Sequence, residues 1–174
     1  MKRVIALILS LTMLLSLVAC GGGGDVEITV PASFIGEDAT QESLEESVSD
    51  TKGIKSVVLN EDGSATYKMS KAAHEEMLSG IAETIDTGLK EMVDGEDYSF
   101  TKIDHNADYT SFTVETEAEE LGFADSFSTM AFYMYGGMYA AFSGKEVDNI
   151  HIDFVNATTK EVIKAADSKD MGKS

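Results

Sequence analysis

Apolar and polar residues change their rhythm several times along this chain of 174 residues, and each change marks a predicted element. Val26, Ile28 and Val30 alternate with Glu27 and Thr29, the period-two pattern of a half-buried strand, which stops at Pro31, the one proline in the sequence. A short helix is expected next. Asp38 followed by Gln41 has the spacing of a capping box, Leu44 and Val48 share one face, and Gly53 is a natural stop. Residues 56–59 and 64–69 then flank Asn60-Glu61-Asp62-Gly63, a tight-turn composition between two β-prone runs, which predicts a hairpin.

The rhythm lengthens after Ser70, a good N-cap. Leu78, Ile81, Ile85, Leu89 and Met92 form one apolar stripe of a long helix that Gly95 closes. Residues 98–103 and 109–116 make a second hairpin around 104–108, with Phe112 and Val114 alternating against Ser111, Thr113 and Glu115. A third helix is expected over 118–142, ahead of Gly144, and residues 149–155 and 161–166 close the chain as a third hairpin. Hairpins impose antiparallel pairing. The expectation is therefore an α+β fold: an antiparallel sheet of about seven strands with three helices packed on one face.

The first 24 residues follow a different logic. Lys2 and Arg3 precede an apolar run from Val4 to Leu17, broken only by Ser10, Thr12 and Ser16, and small residues lead into Cys20. This is the layout of a secretory signal. Leu17-Val18-Ala19-Cys20 resembles the lipobox of bacterial lipoproteins, with Val18 where Ser, Ala or Thr is also frequent. The resemblance implies cleavage between Ala19 and Cys20, diacylglycerol on the Cys20 sulfur, and a protein held on the extracytoplasmic face of a cell membrane. Two acyl chains would anchor it stably, at about 0.8 kcal/mol per buried methylene. The expected organisation is a removed signal peptide at 1–19, a lipidated Cys20 and glycine-rich tether at 20–25, a single α+β domain at 26–167 and a polar tail at 168–174. Gly21 to Asp25 would span at most about 18 Å when extended, so the domain would sit close to the membrane.

Loss of residues 1–19 leaves 11 basic against 31 acidic residues, a net charge of −20. Nucleic acid, which binds through neutralised phosphates, is excluded as a partner by such a surface. The acidity serves solubility; a cationic ligand or calcium is the alternative, but Asn60-Glu61-Asp62-Gly63 lacks the alternating oxygen donors and closing Glu of a calcium loop. Cys20 is the sole cysteine, so its lipidation would leave no thiol for a disulfide, a metal site or catalysis. The remaining 155 residues suffice for one domain with a core and are too few for a two-lobed solute-binding clamp.

Candidate chemistry is sparse. His74-Glu75-Glu76-Met77-Leu78 has Leu78 where a zinc-protease helix needs its second histidine, which leaves His74 as a surface or edge residue. His151 and Asp153 lie two apart on a predicted strand and share a face, compatible with a metal pair or an acid–base pair. His105 is expected in a solvated turn. No Gly-x-Ser-x-Gly elbow occurs, and the absence of tryptophan removes a favoured sugar-stacking platform. No catalytic set, cofactor or metal is assigned.

The third helix stands out. Residues 126–143 are uncharged, with Phe123, Phe127, Met130, Met134 and Met138 down one side and Phe132, Tyr135, Tyr139 and Phe142 down another. Its Ser, Thr and Tyr content and Gly136-Gly137 make it too polar for a membrane span. A core helix buried all round is the expectation, with Tyr133, Tyr135 and Tyr139 the candidate interaction face should an aromatic edge be exposed. Beyond the lipobox, Val26-Glu27-Ile28-Thr29-Val30-Pro31, the Asn60–Gly63 turn with Ser64, Met69-Ser70-Lys71 and Tyr135-Gly136-Gly137-Met138-Tyr139 resemble small lipoproteins of anaerobic Gram-positive gut bacteria. That resemblance implies a shared fold, no established activity and no functional residues.

The expected function is a membrane-anchored, non-enzymatic binding or interaction domain at the cell envelope. Its partners would be the membrane, through lipid on Cys20, and an envelope or extracellular protein, peptide or glycan. A small hydrolase or metal-dependent enzyme using His151 and Asp153 is one alternative, and an inhibitor of secreted hydrolases is another.

Overall fold

The N-terminal strand and the three hairpins supply seven strands, and the structure, a computed structural model that describes residues 24–172, is α+β. The expected signal peptide, Cys20 and glycines 21–23 lie outside the described residues. In chain order the elements are β1 (Asp25–Val30), α1 (Ala32–Ile35), α2 (Gln41–Val48), β2 (Ile54–Leu59), β3 (Ala65–Ser70) and α3 (Lys71–Asp94). There follow β4 (Phe100–His105), β5 (Ser111–Thr116), α4 (Phe123–Phe127), α5 (Thr129–Ser143), β6 (His151–Asn156) and β7 (Val162–Asp167).

The strands divide into two sheets rather than one. A three-stranded antiparallel sheet has the order β1-β3-β2, and a four-stranded sheet has the order β4-β5-β6-β7. The reason lies in α3, whose 24 residues carry the chain about 36 Å before it can form another strand. The second departure from the expected all-antiparallel pairing is between β5 and β6, which run parallel in the register Ser111↔His151 to Thr116↔Asn156. The sequence between them is a helical crossover, and a crossover returns the chain to the end where it started.

Caps decide where the helices begin. Ser70 Oγ accepts the Ala73 N–H at 3.2 Å, as the sequence implies for α3. In α2 the cap is Thr40 rather than Asp38: Thr40 Oγ1 accepts from Ser43 N–H and Ser43 Oγ accepts from Thr40 N–H. Gln41 is thereby released to tie α2 to β2, its amide donating to the Val57 carbonyl and accepting from the Leu59 N–H. The third helix starts at Phe123 instead of 118 because the buried Asp125 carboxylate reaches back to the Gly122 N–H and across to Ser99, accepting from its N–H at 2.9 Å and its hydroxyl at 2.7 Å. Ser168–Asp170, expected within a polar tail, form a 3-10 turn in which Ser168 Oγ accepts from the Ile150 N–H at 2.8 Å.

The larger core gathers Ile85, Leu89 and Met92 of α3, Phe112 and Val114 of β5, Phe132 of α5, and Ile152 and Phe154 of β6. A smaller core under the three-stranded sheet joins Ile28, Val30, Met69 and Ala73, with Phe142 packed against it. Helices α3 and α5 therefore each touch both cores. His74 fastens the two helices where they meet the small sheet, its Nε2–H donating to the Phe142 carbonyl at 2.8 Å. The closest approach to backbone at any described glycine is at Gly136, where a Cβ would stand 2.4 Å from the Tyr109 carbonyl oxygen and 2.8 Å from Ile150 Cδ1.

That contact leaves no space for a methyl group. Gly136→Ala should lower stability by about 1–3 kcal/mol, the usual cost of overpacking, read as a lower urea midpoint at unchanged slope. An unchanged midpoint would show that α5 is not held at this distance.

Candidate functional site

Helices α4 and α5 run almost without a break, since Ser128 between them keeps helical dihedrals. Asp125, Ser128, Phe132, Gly136 and Ala140 are buried. The opposite side is apolar yet open to solvent: Phe123 is 88% exposed, Phe127 65%, Met130 49% and Met134 57%. The expectation of a helix buried all round is thus corrected, because the sheet covers one side only. Tyr133, Tyr135 and Tyr139, the aromatic edge named from sequence, are half-buried and packed against the larger core. A Cβ on Gly88 of α3 would lie 2.4 Å from the Tyr135 hydroxyl, which shows how closely that ring sits on the neighbouring helix.

Spacing makes the exposed residues a stripe. Positions 123, 127, 130 and 134 alternate steps of four and three, and the series continues through Gly137 and Ala141. All six fall within an arc of about 80° on a helix of 3.6 residues per turn. At its C-terminal end the stripe enters an open cleft of about 610 Å³ between α5, the loop after it, α1 and the small sheet. Phe34, Gly137, Ala140 and Ala141 give the cleft apolar walls. A Cβ on Gly137 would lie 3.4 Å from Phe34 Cζ, an ordinary contact distance, so the Phe34 ring rests against the helix at this point.

Acidic residues stand at both ends of the stripe and none lies between 126 and 143. Glu27, Asp62, Glu146 and Asp148 line the cleft, and Lys145, the one basic residue among its described lining residues, is bonded to Asp108 at 2.6 Å. At the other end Glu117, Glu119 and Glu120 are exposed just before α4. Asp62 is occupied with its own turn, where it accepts from the Ser64 N–H and hydroxyl, and these bonds hold its carboxyl below the usual range.

The histidines lie apart from this surface. His151 and Asp153 do share a face, with Nε2 3.2 Å from Asp153 Oδ1. A third group completes the set: Asp167 Oδ1 lies 3.0 Å from His151 Nδ1 and also accepts from Asn149. Sequence reading missed Asp167 because it fell at the edge of the expected tail; the β6–β7 register, which places it directly opposite His151, is the signal that would have found it. All three side chains are partly exposed, and neither the cleft nor a second hollow of about 280 Å³ is lined by them. That second hollow lies by Asp86 and His105. His105 is exposed as expected but ends β4 rather than standing in the turn, with Nε2 3.1 Å from Asp86 Oδ1 and its ring stacked on Tyr109 at 4.4 Å. The Tyr109 hydroxyl donates to the same carboxylate at 2.8 Å, and burial followed by this bond pushes its ionisation well up. Among the described residues no group of three or more His, Cys, Asp and Glu is placed to hold a metal ion, and no helix is long and apolar enough to cross a membrane.

The Asp167 hydrogen bond, against a smaller opposing effect of burial, raises His151 above its ordinary value of 6.5, while bonds from Asn149 and then His151 lower Asp167 below 3.8. A raised histidine contributes its stability in full below 6.5 and loses it as pH climbs through the folded value. A lowered aspartate contributes above 3.8 and loses its share as pH falls through the folded value. His151 should therefore titrate above 6.5 by NMR, Asp167→Asn should bring that midpoint down, and the stability lost in His151→Gln should be greatest between pH 3.8 and 6.5. A His151 midpoint at or below 6.5 would contradict the pairing.

In comparison with known proteins, the chain matches no family model, no curated protein and no solved structure.

Proposed function

We propose that this chain is a lipoprotein, anchored through Cys20 to the extracytoplasmic face of the cell membrane, which acts as a non-enzymatic binding domain through the open side of α4 and α5. The observation that carries the reading is the row Phe123, Phe127, Met130 and Met134, each about half exposed or more on one helix face. A contiguous apolar surface in water costs free energy that a covering partner recovers, about 1.5–3 kcal/mol for each such side chain fully buried. A rigid helix backed by a packed core also loses little conformational freedom on binding. The tether would hold this surface near the membrane, where an envelope protein, peptide or glycan meets it.

A second reading, a small hydrolase, rests on the Asp153–His151–Asp167 set, which has the composition of an acid–base group and is not placed to hold a metal ion. Its partial exposure, with the cleft elsewhere, favours the binding role: acid–base chemistry gains most where water is excluded around the reacting bond.

Both parts of the proposal are open to test in intact cells. Cys20→Ser should abolish incorporation of labelled fatty acid and release the protein from the membrane fraction. A photo-reactive residue at 134 should cross-link to one envelope component, whereas one at Lys164, exposed on β7, should not. Retained fatty-acid labelling in the serine variant would refute the anchor. Equal cross-linking from both positions, or none from 134, would refute the binding face.

A further inference from the structure

The stripe and the cleft form one seat, and its chemistry specifies an occupant. We infer that the partner is a cationic amphipathic helix, which lays its apolar face along Phe123, Phe127, Met130 and Met134 and brings basic side chains to the acids at both ends; this rests on the binding role proposed above. The four-three spacing is that of a helix–helix seam, in which knobs of one helix enter the gaps between residues of the other. From Phe123 to Ala141 the seam is 19 positions, or about 27 Å, which a partner helix of roughly 18 residues would cover. At the cleft end the Phe34 ring lies against α5 at Gly137, so the partner's end would meet Phe34 as well as Ala141.

Charge selects among the helices that would fit. No residue from 126 to 143 is charged, while Glu117, Glu119 and Glu120 stand at one end and Glu27, Glu146 and Asp148 at the other. Lys145 is already held by Asp108. A second copy of this chain, laid in either direction along the stripe, would bring acids against acids at both ends. An anionic membrane surface would meet the same repulsion. A helix with Lys or Arg flanking its apolar face satisfies both the apolar strip and its acidic ends.

The chain has no tryptophan, so a single Trp in a peptide reports its binding without background. An 18-residue Leu/Lys amphipathic peptide should bind the purified chain at least tenfold more tightly than a Leu/Glu peptide of the same pattern, and than a scrambled Leu/Lys peptide of the same composition. Phe127→Ser with Met134→Ser should weaken the Leu/Lys peptide at least tenfold, with folding checked by circular dichroism; both residues are exposed, so the fold should stand. Glu146→Lys with Asp148→Lys should weaken it and flatten its salt dependence. Preference for the Leu/Glu peptide would overturn the cationic partner and leave the binding face intact. Equal binding of the scrambled peptide, or no loss in the Ser variant, would overturn the seat. Dimerisation of the chain, or attachment to phosphatidylcholine vesicles, that the Ser variant abolishes would overturn the partner class in favour of a second copy or a lipid surface.

Discussion

The approach of α5 to the strands beneath it is the contact on which the rest of the molecule depends. At Gly136 the helix backbone comes so near the Tyr109 carbonyl and Ile150 that a side chain as small as a methyl cannot be accommodated. This proximity lets Phe132, one turn earlier, reach the aromatic cluster with Phe100, Phe112 and Phe154 at ring separations of 5.0 to 6.5 Å. It also fixes the rotation of α5 about its own axis. With Phe132, Gly136 and Ala140 turned inward, Met130 and Met134 have no choice but to face water.

Two other contacts set the direction of the helix. Asp125 pins its start by accepting from Ser99 and Gly122, and His74 holds its end through the Phe142 carbonyl. Between these fixings α5 passes from the larger core to the smaller one, and the space left beside its last turns is the cleft. The acidic residues at the cleft come from elements far apart in sequence, Glu27 on β1 and Glu146 with Asp148 in the loop after α5, so they meet only because the helix joins the two sheets. The Asp153–His151–Asp167 set is a different kind of feature. Its members lie on one hairpin, Asp153 beside His151 on β6 and Asp167 opposite on β7, and the His151–Asp167 bond across the hairpin contributes to the pairing of β6 with β7 most between pH 3.8 and 6.5.

The elements were largely legible in the sequence, since alternation gave the strands, Ser70 gave the start of α3 and Gly144 the end of α5. Their grouping was not. That the N-terminal strand pairs with β3, and that the four strands after α3 form a separate sheet, depends on long-range contacts that no local period encodes. The site was half visible. The four-three spacing of Phe123, Phe127, Met130 and Met134 stood in the sequence, but a helix apolar on every side reads as fully buried. Only the location of the sheet tells which apolar side is covered. Asp167 illustrates the same limit, because its partnership with His151 is a matter of hairpin register rather than of spacing along the chain.

Methyl NMR of the methionines during titration with the Leu/Lys helix tests the binding face most directly. Met130 and Met134 stand in solvent on the stripe, whereas Met69 and Met92 are buried within the two cores. Binding on the stripe should shift the Met130 and Met134 methyl signals together to saturation while those of Met69 and Met92 hold still. Signals of Met130 and Met134 that remain unmoved at saturating peptide would contradict it.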